Sequence, residues 1–182
     1  LPPRPGLDGW LDLAIFMRGN HIAQQINGVD VVEFIDQDPK GRRLKGALAL
    51  ELLGPPGSTV EFKDICLKTL PIAFGETVRL FNGKDMTGWT TSSEAMKETG
   101  SIKDGVFCNA GKPAGYIRTT ADYDNYLLRL QMRHLSKGNS GVLVRMTGED
   151  KVWPRSLEAQ GMIRNMGDIW NIDNFPLKTD PK

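Results

Sequence analysis

The residues best suited to chemistry lie two positions apart near the end of the chain. Glu158 and Gln160 occupy alternate positions of the run Leu-Glu-Ala-Gln, so in a strand both side chains point to the same face. A carboxyl group that stays protonated can donate a proton, and an ionised one can accept it. Glu158 is therefore the first candidate for an acid or base, and Asp168, in the run Gly-Asp-Ile-Trp, is the second.

Each of these acids also has a structural interpretation. Glu158 could be neutralised by Arg145 or Arg129 on an adjoining strand, because ion pairs across sheets are common. Asp168 could form a turn before Trp170, since Asp is a frequent turn residue. These alternatives stay open on the sequence alone.

Other reaction types lack the residues that they need. The two cysteines and two histidines have no zinc-ligand spacing, and there is no phosphate-binding loop, nucleophile elbow or dinucleotide fingerprint. Asp36 and Asp38 do not complete a calcium-binding pattern, which favours a solvated loop. We therefore expect neither a metal nor a cofactor. Cys66 and Cys108 could form a disulfide or remain thiols.

Composition indicates a globular chain with no general attraction to nucleic acid. The 182 residues are 40% hydrophobic, and the formal net charge is +1. No apolar run approaches the roughly 20 residues that cross a bilayer, so we expect no membrane insertion. A short basic run contains Lys40, Arg42, Arg43 and Lys45, and without aromatic partners it is interpreted as a solvated loop rather than a phosphate-binding patch.

Hydrophobic alternation predicts many short strands. In the run 126–133, Leu128, Leu130 and Met132 share one face, and Asn27-Gly28 is a strong hairpin signal. A helical fragment is expected only at 94–98, and the apolar run 46–52 favours a strand over a short helix. With 20 glycines and 11 prolines, the chain is predicted to be an all-β sandwich or jelly roll. The predicted strands span 10–17, 21–26, 29–35, 46–52, 60–67, 78–81, 101–109, 116–119, 126–133, 140–146 and 157–163.

Several motifs together resemble the 3-keto-disaccharide hydrolase family. Residues 80–89 read Leu-Phe-Asn-Gly-Lys-Asp-Met-Thr-Gly-Trp, residues 138–142 read Gly-Asn-Ser-Gly-Val, and residues 167–170 read Gly-Asp-Ile-Trp. Further similar segments are 9–17, 18–21, 26–29, 38–41, 60–65 and 157–160. The resemblance implies a jelly-roll sandwich of two antiparallel sheets, of the concanavalin A-like lectin and glucanase type.

The resemblance also implies a carbohydrate ligand, and cleavage of a glycosidic bond with Glu158 and Asp168 as catalytic groups. Sugar sites combine aromatic platforms with planar hydrogen-bonding groups. The substrate-binding candidates of these types are Asn139, Arg145, Trp153, Gln160 and Trp170.

Two departures from the family pattern weaken the enzyme interpretation. Gln24-Gln25 stands where the family often has His-Trp, and Glu51-Leu52-Leu53 stands where it often has Gln-x-His, so two proton-transfer histidines are missing. The alternative is a non-catalytic glycan-binding or structural module of a larger protein. In either case we expect an exported protein, periplasmic or extracellular.

The order of the motifs is swapped relative to the family. Residues 1–71 resemble its C-terminal half, and residues 74–182 resemble its N-terminal half. We therefore expect one circularly permuted domain over residues 1–182, because nearby termini tolerate permutation. The alternative is a slice across tandem copies, completed by a domain-swapped or homo-oligomeric partner. Pairing of strand 60–67 with strand 78–81 within one chain would favour the self-contained domain.

Overall fold

A computed structural model describes residues 9–53, 58–70 and 77–178. Within these ranges the chain forms fifteen strands and one short 3₁₀ helix at Glu94–Met96. The strands are β1 (Leu11–Arg18), β2 (His21–Ile26), β3 (Val29–Ile35), β4 (Lys45–Leu53), β5 (Val60–Thr69), β6 (Thr77–Arg79), β7 (Trp89–Thr91), β8 (Gly100–Lys103), β9 (Val106–Asn109), β10 (Gly115–Thr119), β11 (Tyr123–Asp124), β12 (Tyr126–His134), β13 (Asn139–Thr147), β14 (Arg155–Gln160) and β15 (Ile169–Ile172).

These strands form two antiparallel sheets, which confirms the predicted all-β sandwich. Sheet one has the order β3-β2-β1-β12-β5-β9-β8, and β6 also pairs with β5. Sheet two has the order β15-β14-β13-β4-β10-β7, and β11 also pairs with β4. Each sheet therefore combines strands from both halves of the chain.

The core lies between the inner faces of the two sheets, where the period-2 alternation places the apolar side chains. In sheet one, Leu13 and Ile15 of β1 and Leu128 and Leu130 of β12 are at most 2% exposed. In sheet two, the alternate residues Leu48, Leu50 and Leu52 of β4 belong to the same buried cluster. The outer face of β4 is consequently left for Ala47, Ala49 and Glu51.

Two local predictions are confirmed. The run 46–52 lies in strand β4, and Asn27 and Gly28 form a hairpin turn with φ angles of 50° and 77°. A β-turn of this kind needs positive φ at both central residues, which Gly adopts freely and Asn tolerates.

Three predicted boundaries were wrong. The run 101–109 is not one strand but the hairpin β8–β9, because Asp104 and Gly105 turn with φ angles of 52° and 78°. The fragment 94–98 shortens to the 3₁₀ helix, since Thr99 bonds back to Met96 and ends it. Strand 157–163 is displaced to β14, which stops at Gln160 because that side chain accepts a hydrogen bond from the Met162 N–H at 2.8 Å.

Strand β5 joins the two halves of the chain in sheet one. Its second half pairs with β6 of the same chain, with Leu67 opposite Val78, and the Leu80 N–H donates to the Ile65 carbonyl at 2.7 Å. Strand β6 therefore extends sheet one beside β5.

The two cysteines are both free and half-buried. Cys108 donates its thiol hydrogen to Glu61 Oε1 at 3.0 Å instead of reaching Cys66.

Across the described residues, there is no helix with the length and apolar character needed to span a bilayer.

Candidate functional site

Two glutamates from different halves of the chain meet on the outer face of sheet two. Glu51 lies on β4 and Glu158 on β14, and β13 runs between them. Gly141 of β13 stands directly beside Glu51, and an added Cβ at Gly141 would lie 2.3 Å from Glu158 Oε1. The Glu158 side chain therefore crosses the space that Gly141 leaves open. The two carboxyl groups, called the carboxyl pair below, come within hydrogen-bonding distance of each other.

Burial controls the protonation of the carboxyl pair. Glu51 is 3% exposed and Glu158 is 1% exposed. Desolvation, and then the nearby charge of Glu51, raise the pKa of Glu158 well above its usual range. Desolvation also raises the pKa of Glu51, while its hydrogen bond with Glu158 opposes that rise. Burial consequently favours the protonated form of Glu158, which can donate a hydrogen bond to Glu51.

Several polar atoms around the carboxyl pair have no hydrogen-bond partner among the described residues. They are Glu51 Oε2, Glu158 Oε1, Gln160 Nε2 and Asn139 Oδ1. Gln160 lies opposite Gly141, and Asn139 shares a face with Gly141 at the two-residue period of β13. Buried polar atoms in proteins are almost always hydrogen-bonded, so these four atoms retain capacity for further hydrogen bonds.

An aromatic surface lies next to the carboxyl pair. Trp170 of β15 is directly opposite Glu158, so both side chains project from the same face of sheet two. Trp170 is 41% exposed although it is a large apolar group. Exposed indole rings beside hydrogen-bonding groups are typical of sites that stack on the apolar face of a sugar ring.

A family comparison gives this arrangement a context. A family model described as the 3-keto-alpha-glucoside-1,2-lyase-like domain matches residues 4–68 and 76–174. The chain belongs to this family. No curated protein matches the chain. Residues 69–75 lie in the gap between the two matched ranges.

In this lyase-like domain a loop crosses the outer face of sheet two and carries Trp153. Asp150 anchors the loop, because its carboxylate accepts from Tyr116 Oη at 2.8 Å and from Arg118 Nε and Nη2 at 2.9 Å each. Hydrogen bonding from Arg118, which is the main cause, holds the pKa of Asp150 below its usual range. Trp153 follows three residues later and is 46% exposed. The loop thus carries a second exposed indole.

Arg145 lies away from the carboxyl pair. A bulge in β13 between Val144 and Thr147 interrupts the strand alternation, and Arg145 has a positive φ of 53°. Its side chain is 2% exposed, and Nη2 donates to the carbonyl of Gly19 in the turn between β1 and β2 of sheet one. Arg145 therefore bridges the two sheets, and Arg129 lies on β12 of sheet one. The neighbour of the Glu158 carboxyl group is therefore Glu51, and not Arg145 or Arg129 as the structural interpretation expected.

Asp168 supports the end of β14. Its backbone carbonyl accepts from the Gln160 N–H at 2.9 Å, and its carboxylate accepts from Asn165 Nδ2 at 3.2 Å. Asp168 therefore holds the end of β14, where Gln160 lies.

Of the predicted site residues, the structure brings four together on the outer face of sheet two: Glu158, Gln160, Asn139 and Trp170.

Glu51 is the residue of the carboxyl pair that sequence analysis missed. It is the one charged residue in the otherwise apolar run Gly-Ala-Leu-Ala-Leu-Glu-Leu-Leu at 46–53. Burying a lone acid in a strand of this kind costs free energy unless a partner is present. A single acid within an apolar strand therefore predicts a buried partner elsewhere in the fold.

A separate apolar cavity of about 420 Å³ lies between β7 and β9 and is lined by Met86, Trp89, Met96 and Phe107 among others. It shares no lining residue with the carboxyl pair. Its lining also holds no carboxyl or imidazole group for proton transfer. The chemistry and this cavity are therefore at different places in the fold.

Gly141→Ala is expected to destabilise the domain by about 1–2 kcal/mol, because overpacking a filled site strains its neighbours. The new methyl would lie 2.3 Å from Glu158 Oε1, 2.8 Å from Glu158 Cγ and 3.0 Å from the Ala159 carbonyl oxygen. Urea unfolding measures the effect. Gly138→Ala is the matched control, since its nearest atom, Ser58 Cβ, is 3.2 Å away. Equal stability of the Gly141 variant and the parent would contradict the close approach of Glu158.

Proposed function

We propose that this domain cleaves the glycosidic bond of a 3-keto-α-glucoside or a related glycoside, with the carboxyl pair as acid and base. The observation that carries the proposal is the close approach of the buried Glu51 and Glu158 side chains across Gly141, beside Gln160 and Trp170. Pairs of carboxyl groups whose environments separate their pKa values commonly divide the roles of acid and base.

The chemistry follows from the position of the ketone. A carbonyl at C3 acidifies the hydrogen on C2, and ionised Glu51 is placed to accept that proton. The electrons of the C2–H bond form a C1=C2 double bond as the C1–O bond breaks. Protonated Glu158 supplies the proton that the departing oxygen needs. Addition of water to the unsaturated sugar would complete a net hydrolysis.

The surrounding residues suit the binding of a sugar. Trp170 and Trp153 offer two exposed indole surfaces, and Gln160 and Asn139 offer unpartnered amide atoms that can orient hydroxyl groups. Because both carboxyl groups are almost fully covered, binding requires neighbouring side chains to move aside. In the Asp150-anchored loop, Val152 and Trp153 are the exposed residues that can change position without breaking the Asp150 contacts.

A non-catalytic glycan-binding or structural module is the second candidate. The observation in its favour is the coverage of the carboxyl pair, at 3% and 1% exposure. Gln24, at the position where the family often has His, lies in the core and is fully buried. In this candidate the shared proton only neutralises the pair, and the ligand contacts Trp153 and Trp170.

Incubation of the purified domain with a 3-keto-α-glucoside and with its unoxidised parent glucoside separates the two candidates. The enzyme releases free sugar from the keto compound alone, and the unsaturated ketone intermediate adds an ultraviolet absorption band. Binding of either compound without release of sugar would favour the module and exclude the lyase.

The proposal treats residues 1–182 as one domain with its halves in permuted order. Support comes from the β5–β6 pairing within one chain and from sheets that each contain strands of both halves. The expected result is a monomer by light scattering over a wide concentration range. A dimer that persists on dilution would instead indicate exchange of halves between two copies, because swapped partners complete each other.

A further inference from the structure

A second cavity has a polar lining and a volume of about 430 Å³. It lies beside the end of β13 and the start of β14 in sheet two. Three cationic side chains from three separate segments line it. Arg43 comes from the loop before β4, Lys151 from the Asp150-anchored loop, and Arg155 from the start of β14. Arg43 belongs to the basic run noted in the sequence and is exposed, and it lies with two distant cations around one space.

The cations outnumber the acids at this cavity. Asp173 is engaged by Lys151 Nζ at 2.7 Å and lies 3.8 Å from Arg155 Nε, which also donates to the Asp173 carbonyl at 3.2 Å. Lys151, the main cause, holds the pKa of Asp173 below its usual range. Glu149 is the other carboxylate in the lining. With three positive and two negative groups, the cavity carries an excess positive charge.

Arg43 is the cation with capacity for a ligand. Its guanidinium donates to the Gly41 carbonyl at 3.3 Å and has no carboxylate partner among the described residues. The turn before it is fixed, because Asp38 Oδ1 accepts from the N–H groups of Lys40 and Gly41 at 3.0 and 2.8 Å. A guanidinium presents a planar fork of donors that matches a carboxylate or sulfate group.

We infer that this cavity binds the oxyanion group of an acidic sugar, a carboxylate or a sulfate ester, through Arg43 with Lys151 and Arg155. A neutral sugar would leave the charge of Arg43 uncompensated, whereas an anionic one restores neutrality. The inference rests on the proposed carbohydrate ligand for the sugar part of the molecule. The cations and the cavity geometry carry the anionic part independently.

The Asp150-anchored loop relates the cavity to an exposed indole. Lys151 lies two residues before Trp153 on this loop. Arg155 lies three residues before Glu158 on β14, so the two-residue period gives their side chains opposite faces of the strand. The charged group would thus belong to a sugar unit next to one that stacks on Trp153.

Calorimetry with a glucuronic acid-containing disaccharide and its neutral glucose analogue tests the inference. We expect the acidic disaccharide to bind about tenfold tighter, and Arg43→Ala to remove that preference, because a charge-assisted contact is lost. The preference should also weaken as salt is raised from 50 to 500 mM. The matched control is Arg129→Ala, which removes an exposed arginine from sheet one and should keep the preference.

Three results would overturn the inference: equal affinity for the two disaccharides, a preference that survives Arg43→Ala, or a preference that Arg129→Ala removes equally. Inorganic sulfate serves as a further probe. If sulfate competes only at Arg43 while the acidic disaccharide gains nothing over the neutral one, the site takes a free anion and the sugar assignment fails. An Arg43-dependent preference in a protein that turns over no glycoside would leave this inference standing while the proposed cleavage fails.

Discussion

Glu158→Gln is expected to slow cleavage of a 3-keto-α-glucoside by about a hundred- to ten-thousandfold, the usual range for loss of a general acid or base. The amide has nearly the same shape as the protonated carboxyl group and can still donate to Glu51. It cannot deliver a proton to the departing oxygen. The expected change is therefore in kcat, with KM altered little, and steady-state kinetics measures both.

Glu61→Gln is the matched control for that variant. Glu61 is also a strand glutamate with low exposure, at 8%, but it pairs with Arg133 in sheet one, away from the carboxyl pair. Its replacement should affect stability and leave turnover close to that of the parent. If Glu158→Gln keeps turnover within a fewfold of the parent, or if Glu61→Gln loses as much, Glu158 is not the acid.

Local patterns in the sequence predicted the parts of the site that depend on a single strand. Glu158 and Gln160 were expected on one face because the two-residue period needs no knowledge of the rest of the fold. The hairpin at Asn27 and Gly28 was predicted for a similar reason, since positive φ is a property of the turn itself. By contrast, the hairpin at Asp104 and Gly105 was missed although the Asp-Gly signal was present in the sequence.

The pairing of Glu51 with Glu158 could not be predicted in this way. It depends on β4 and β14 both pairing with β13, in the register that places Gly141 beside Glu51 and Leu143 beside Glu158. That register is set by contacts between distant parts of the chain, and a shift of one residue would turn every side chain to the other face.

Arg145 shows that a single bulge in a strand can make a prediction from strand alternation wrong. Counting in twos along β13 from Asn139 through Gly141 and Leu143 places Arg145 on the outer face with them. The bulge after Val144 breaks the count, so Met146 joins the apolar cluster on the outer face and Arg145 turns inward. The bulge residue has positive φ without being glycine, so no turn signal marks it in the sequence.

The stability of the domain is expected to fall between pH 5 and pH 8 because of the carboxyl pair. Burial raises the pKa of Glu158 above its ordinary value of 4.5, so in this range the folded state holds a proton that the unfolded state has released. Stability decreases with rising pH wherever the folded state binds more protons. Glu51→Gln/Glu158→Gln removes both titrating groups and should remove this slope. The variant should therefore gain on the parent by about 4 kcal/mol across the range, at about 1.4 kcal/mol per pH unit for one proton.

Urea unfolding of the variant and parent at each pH measures this difference and cancels the other titrating groups. His134 is the most important of these, because burial lowers its pKa and its contribution to stability is lost as the pH falls below about 6.5. That effect has the opposite sign but is common to both proteins. A difference that stays constant from pH 5 to 8 would mean that neither carboxyl group holds a proton in the folded state. Glu158 could then not donate one to a departing oxygen, and the acid–base proposal would fail even if sugars bind at Trp170.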